Sequence, residues 1–298
     1  MNNSKAVTGQ SIRPRRSVLY MPATNQRAMQ KAQTLPADVI IFDLEDAVAV
    51  DQKAEGRRML QEQLAQSDYG NRQVMVRING ADTPWFGDDL ALVRDLAIDG
   101  VVLPKVETTE VIRDVLYVLS IDEAVIDSNF RIWPMIETPT GVFNVRDILS
   151  VDSRVDCLIM GTSDLAKAMR LPASVGREGM ISALSQCVMA ACEKQIDVLD
   201  GVCLDVHSSD AMQQQAEQGR LLGFTGKTLI HPKQIDIANS VFGVSNADYE
   251  AAQGIVSAWH EAEKKGEGVA VVDGKLIESL HYDDARRIIA LAEAIAAG

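Results

Sequence analysis

A (β/α)8 barrel with a C-terminal helical and hairpin extension is the fold this 298-residue chain predicts. Three observations lead there. Short apolar or β-branched runs recur along the chain, and amphipathic helical stretches separate them. Eight such units fit within about 235 residues, close to the roughly 250 that a barrel of this kind takes. Fully apolar strands alternating with helices imply a parallel sheet covered on both faces. A doubly wound open sheet is the runner-up. No GxGxxG follows the first strand, which weighs against its dinucleotide-binding form.

The first strand is SVLYMP (17–22). Residues 1–15 ahead of it are polar and basic, read as a flexible arm, and lack the apolar centre of a secretory signal. Then come DVIIFDLE (38–45), QVMVRIN (73–79), GVVLPK (100–105), RIWPMIE (131–137), VDCLIMG (155–161), IDVLDGVCLD (196–205) and TGKTLIHP (225–232). Helical patterns such as 54–66 and 177–195 lie between them. The barrel is therefore placed at 16–245. The remainder, 246–298, reads as a helix over 246–265, a hairpin turning at Asp273-Gly274 and a last helix over 282–298. That tail exceeds what closes a barrel. It either packs across the active site or reaches a neighbouring subunit.

Composition narrows the function. The net charge of −13 repels nucleic acid and anionic lipid, so neither is expected as a partner. No 18-residue uncharged apolar run exists, so no membrane span is expected. Cys157, Cys187, Cys192 and Cys203 lack CxxC spacing, which argues against a thiolate zinc site and fits reduced thiols in the cytoplasm. The four histidines show no HExxH or paired spacing.

The polar residues of the predicted strands gather at their C-terminal ends, where barrels of this type place their chemistry. The second strand ends in Asp43-Leu44-Glu45-Asp46, the third in Arg77-Ile78-Asn79, the fourth in Lys105, the fifth in Glu137 and the sixth in Gly161-Thr162-Ser163-Asp164. Each has an ordinary alternative. Glu137, and Ser163 or Asp164, could cap the following helices, Arg77 could be a surface ion-pair partner, and Lys105 could be structural or a rim charge. Three acids behind VIIF are harder to dismiss, because they repel one another unless a cation or arginines sit nearby. Together, Glu137 and Asp164 on consecutive strands suit Mg2+, which takes one or two carboxylates plus water and substrate oxygens. Arg77 offers a planar fork to a carboxylate substrate. The set predicts chemistry at an α-hydroxy or α-keto acid.

Those residues sit in motifs that resemble the citrate lyase β-subunit-like and malyl-CoA lyase family of Mg2+-dependent acyl-CoA lyases. The motifs are RSVLYMPA (16–23), FDLEDAV (42–48), VRIN (76–79), LPKVE (103–107), PMIETPTGV (134–142), MGTSDLA (160–166), GFTGKTLIHPKQI (223–235) and DGKLIE (273–278). The resemblance implies a homo-oligomeric barrel, a trimer or hexamer. Its Mg2+, or alternatively Mn2+, would sit on Glu137 and Asp164, and its substrate would be a CoA thioester. It also implies substrate contacts from Arg77, Glu137 and Arg16, with Arg16 reaching substrate or CoA. Asp43, Glu45 and Asp46 would bond the metal's waters or hold Arg16 and Arg77. Arg13, Arg15 and Lys53 are either CoA-phosphate contacts or solvated charges.

The implied reaction is retro-Claisen cleavage of a malyl- or citramalyl-type CoA ester to an acyl-CoA and glyoxylate or pyruvate. The alternatives are a citrate lyase β-subunit, working with its partner subunits on citryl-acyl-carrier protein, or a malyl-CoA thioesterase. Many relatives carry Asp where this chain has Glu278. That acid resembles a catalytic one donated across a subunit interface, which puts the hydrolytic branch in question here. His231 is expected to shape a turn or the CoA channel, and His207 to lie on the surface.

Overall fold

The computed structural model describes residues 12–120, 129–172 and 176–297. Most of the expected arm, residues 1–11, lies outside them. Eight parallel strands form a closed barrel in chain order: β1 (Ser17–Pro22), β2 (Val39–Asp43), β3 (Gln73–Arg77), β4 (Gly100–Leu103), β5 (Arg131–Ile136), β6 (Cys157–Met160), β7 (Asp197–Asp200) and β8 (Gly226–Leu229). The predicted fold class is confirmed. Closure comes where Ser17 of β1 lies beside Lys227 of β8.

Around the sheet run α1 (Gln26–Ala32), α2 (Lys53–Ala65), α3 (Phe86–Arg94), α4 (Glu110–Ser120), α5 (Pro139–Ile148), α6 (Thr162–Ala168), α7 (Ile181–Lys194), α8 (Ser209–Leu222) and α9 (Ile235–Val241). The strands separate two apolar cores. Val18, Val39, Ile41, Met75, Val102, Trp133, Met135, Cys157, Ile159 and Leu199 fill the barrel interior, as alternate residues of each strand must. The intervening residues join the helices in the larger outer core.

The barrel floor, at the N-terminal ends of the strands, is closed by Arg15. Its guanidinium pairs with Asp156 at 2.6 Å and Asp197 at 3.0 Å, donates to Gln73, and lies 4.8 Å over the Trp133 ring. Arg15 is neither a CoA contact nor a solvated charge; it is a buried plug.

Several strands stop earlier than their apolar runs. The fourth ends at Leu103 because Pro104 brings no N–H and Lys105 turns the chain with φ +50°. The seventh ends at Asp200, before Gly201, and the eighth at Leu229, before His231-Pro232 opens a 3-10 turn. His231 caps that turn, its Nδ1 accepting from the Lys233 N–H.

Compact units divide at Phe242 and Gly243. The second unit holds α10 (Asn246–Lys264), capped by Ser245, the hairpin of β9 (Ala270–Val272) and β10 (Lys275–Ile277), and α11 (Ser279–Ala297). The hairpin turns at Asp273 and Gly274, both at positive φ (49° and 75°), as a two-residue turn of twisted strands requires. Trp259, Ala262, Ala270 and Ile277 make its small core, with Tyr282 stacked on Trp259. The last helix starts three residues before the expected boundary. Among the described residues, no helix is long and apolar enough to cross a membrane.

Candidate active site

Parallel register brings the end of β2 beside the end of β3, so Asp43 and Arg77 are neighbours. Asp43 takes the guanidinium in a fork, Nε at 2.8 Å and Nη2 at 2.6 Å, and is itself fixed by the N–H groups of Glu45 and Ala47. The fork foreseen for a substrate carboxylate is thus occupied by Asp43, and the Nη1 side of Arg77 is what faces onward. Glu45 Oε2 lies 3.1 Å from Nη1, and Asp46 stands off at 4.0 Å, exposed. Beneath, the Arg77 guanidinium lies 4.7 Å over the Tyr20 ring. Burial disfavours the charge on Arg77, but Asp43, Tyr20 and Glu45 outweigh it and hold the group firmly protonated.

A frame behind the β2 end keeps the acidic turn in place. Lys53 is buried, not solvated, and donates to the carbonyls of Leu44 at 2.8 Å and Glu45 at 2.6 Å, with Trp85 packed on its ammonium. Asn79 bonds the Leu44 carbonyl and the buried Asp89, which pairs with Arg57. Neither Lys53 nor Asp89 has a local sequence signal for this role. The bonds span loops and are visible only once the barrel closes.

On the other side, Glu137 follows β5 directly. It does not cap the next helix: Thr138 does, its hydroxyl accepting from the Gly141 N–H at 3.1 Å. One Glu137 oxygen accepts from the Lys105 N–H at 2.7 Å, a bond that the positive φ of Lys105 accompanies. The carboxylate lies against Gly161, where an added Cβ would come within 3.1 Å of Glu137 Cδ and closer still to its Oε2. Gly161 is the N-cap of α6 without a side-chain bond, and Asp164 falls in that helix's first turn as its third residue, half-buried.

Electrostatics tie these groups into one basin. Burial, then the carboxylates of Glu45 and Asp164, push the Glu137 carboxyl up to about 8, against the Lys105 N–H and Arg77. Burial, with Asp46 and Asp43 beside it, lifts Glu45 to about 7 against Arg77 and Lys105. The Lys105 ammonium, disfavoured by desolvation, is nevertheless raised by Glu45, Glu137 and Asp164. Lys105, read from the sequence as structural or a rim charge, contributes its N–H and its ammonium to the cluster. Two of the buried polar atoms without a hydrogen-bond partner, Tyr20 Oη and Glu45 Oε2, also face this basin.

The donor set fits a hard divalent cation. Burial first, and then its acidic neighbours, drive one of the two carboxylates toward neutrality, which leaves the site short of positive charge. Among the described residues no three His, Cys, Asp or Glu side chains converge as a complete cage. Mg2+ does not need one, since it keeps several waters and takes ligand oxygens beside one or two carboxylates.

Other expected site residues are not at the rim. Arg16 precedes β1, and its guanidinium forks onto Asp38, which precedes β2, at 2.8 and 2.7 Å. That is the opposite end of the barrel from Glu137. The expected contact of Arg16 with substrate or CoA at the rim is therefore corrected, because the side chain is committed to Asp38 at the floor. Glu278 belongs to the second unit, exposed at the foot of α11, where its N–H donates to His281 Nδ1.

The fold is a (β/α)8 barrel whose C-terminal rim gathers Glu45, Glu137, Asp164, Arg77 and Lys105. Residues 16–232 match the HpcH/HpaI aldolase/citrate lyase family, and the chain belongs to it. It is 43% identical, over 95% of its length and 96% of the relative's, to a (3S)-malyl-CoA thioesterase of Cereibacter sphaeroides. It is 30% identical, over 96% of each chain, to an L-malyl-CoA/beta-methylmalyl-CoA lyase of the same species. The solved structure of Mycobacterium tuberculosis CitE in complex with magnesium and pyruvate is 26% identical, with a TM-score of 0.65 over 77% of this chain and 91% of that one.

Proposed function

We propose that this chain acts on a short 3-hydroxyacyl-CoA of the malyl or citramalyl type, with Mg2+ held by Glu137 and Asp164. The observation that carries the reading is the meeting at one rim of Glu137, held by the Lys105 N–H at 2.7 Å, Asp164 in the first turn of α6, and Arg77 pinned by Asp43 at 2.6 Å. A magnesium and pyruvate complex of a relative and the CoA-ester names of two others support the same substrate class.

When bound, Mg2+ would polarise the carboxylate and hydroxyl oxygens of the substrate and lower the hydroxyl's pKa. Arg77 offers Nη1 to the acid end and favours negative charge developing there. Glu45, whose Oε2 lies 3.1 Å from Arg77 Nη1 and whose carboxyl is lifted to about 7 mainly by burial, is the proposed base for the hydroxyl proton. Carbon–carbon cleavage follows: the bonding pair passes to the α-carbon of the acyl-CoA as an enolate, and glyoxylate or pyruvate leaves. Glu278 of another copy is the proposed acid that returns a proton to that carbon.

Thioester hydrolysis is the second reading, and the 43% identity to a malyl-CoA thioesterase is the observation that favours it. There, water adds to the thioester carbonyl, the C–S bond breaks and CoA leaves as the thiol. A citrate lyase β-subunit role would require a carrier-bound citryl thioester in place of free CoA esters.

Mass spectrometry of malyl-, methylmalyl- and citramalyl-CoA incubated with the protein and Mg2+ separates the outcomes. Acyl-CoA with glyoxylate or pyruvate is the expected result. Free CoA with the intact hydroxy acid would establish hydrolysis. All three esters surviving unchanged would overturn the substrate class.

A further inference from the structure

The position of Asp164 depends on α6, a helix without a side-chain cap at its start. Its first residue, Thr162, is packed from behind by Gly201, the residue that follows β7. A Cβ at 201 would lie within 2.8 Å of Thr162 Cβ and inside contact of the rest of that side chain. Gly201 is in turn held at both ends. Its carbonyl accepts from Lys227 Nζ, and its N–H donates to Asp200 Oδ1 at 2.8 Å.

Asp200 and Lys227 are both fully buried at 0% exposure, on adjacent strands and facing outward to the helices. The Asp200 carboxylate accepts from Lys227 at 2.8 Å and from the Arg177 fork at 2.6 and 2.8 Å. Room for it exists because residue 219 of α8 is glycine; a Cβ there would sit 2.9 Å from Asp200 Oδ2. Burying three charges rarely adds stability over apolar packing of the same shape, whereas it can fix a geometry.

We propose that Arg177, Asp200 and Lys227 form a positioning cluster that seats Gly201 against Thr162 and so sets Asp164 for Mg2+. The cluster touches no reacting atom. The inference rests on Asp164 holding the ion.

Calorimetric titration of Mg2+ with pyruvate present, alongside thermal melts, tests it on the full chain. Lys227→Met and Gly201→Ala are expected to weaken Mg2+ binding about 10-fold or more, the size seen when partners behind metal ligands are removed. Adding Thr162→Gly to Gly201→Ala opens the space and is expected to recover the affinity. Trp133→Phe, which loses a floor bond to Asp156, lowers the melting temperature and leaves Mg2+ affinity unchanged. Lower melting temperatures with wild-type Mg2+ affinity in both Lys227→Met and Gly201→Ala would overturn the positioning role. A wild-type chain that binds no Mg2+ would remove the reading of Asp164 itself, and the inference with it. Should Lys227→Met fail to fold, the glycine and threonine pair decides alone.

Discussion

Glu137 has one oxygen committed to the Lys105 N–H and a carboxyl that holds its proton up to about pH 8, against an ordinary 4.5. A carboxyl that binds its proton more tightly when folded lends stability that is complete below the ordinary value. That contribution is lost as pH rises through about 8. A metal ion on the deprotonated site replaces the proton, so stabilisation by Mg2+ grows across the same window. Melts with and without Mg2+ at about pH 6 and about pH 8.5 check this, and the Mg2+-induced rise is expected to be larger at the higher pH. Asp43→Asn would free the Arg77 fork and misplace Nη1; a fall of about 100-fold in kcat/KM is expected, the cost of roughly 1 Å of displacement. Steady-state kinetics on the reactive ester would show it.

The rim positions of Glu137 and Arg77 were legible because each interrupts an apolar run at its C-terminal end, and that of Asp164 because it closely follows one. Arg16 was misplaced although the same rule applies to it: a residue before a strand lies at the floor. Asp200 and Lys227 went unread as a pair, since a charge inside an apolar run has no visible partner until β7 and β8 lie side by side.

At the scale of elements, the eight strands were found and the first ends where expected, but the C-terminal ends of the other seven overran by one to five residues, because turn chemistry at the rim, not hydrophobicity, ends them. Lys105 illustrates the point. It adopts φ +50°, a left-handed conformation that costs a non-glycine residue about 1–2 kcal/mol. Strain of this kind persists where the surroundings enforce it, as the bond to Glu137 does here. Lys105→Gly should therefore raise the melting temperature by about 2–4 °C while weakening activity through loss of the ammonium beside Glu45. Calorimetric melting and product assays together test the trade; a fall in melting temperature would contradict it. Gly161 carries the opposite lesson. Its missing side chain makes space for the Glu137 carboxylate, and a lone glycine in MGTSDLA says nothing of that before the strands pair.

The whole molecule has a barrel with two apolar cores and a second unit whose own core is small. That second unit exposes Val269, Val271, Leu276 and Leu280, at 43% to 67% of their surface. Apolar side chains clustered on one hairpin and the helix after it are of the kind that an interface covers. The expected homo-oligomer would cover them. Val271→Lys with Leu276→Lys should shift sedimentation toward a single chain while the barrel stays folded; an unchanged sedimentation coefficient would place the interface elsewhere. The sequence announced this tail as more than a barrel needs, but the apolar residues that would meet a partner cannot be told from core residues until the hairpin is folded.

The decisive titration is Mg2+ into the wild-type chain and into Glu137→Gln and Asp164→Asn, each with pyruvate or glyoxylate present. Carboxylates from the end of β5 and the first turn of α6 gripping one ion predict a binding isotherm for the wild type and its loss in both variants. A wild-type chain with no Mg2+ heat, or variants that bind as tightly as it does, would contradict the assignment.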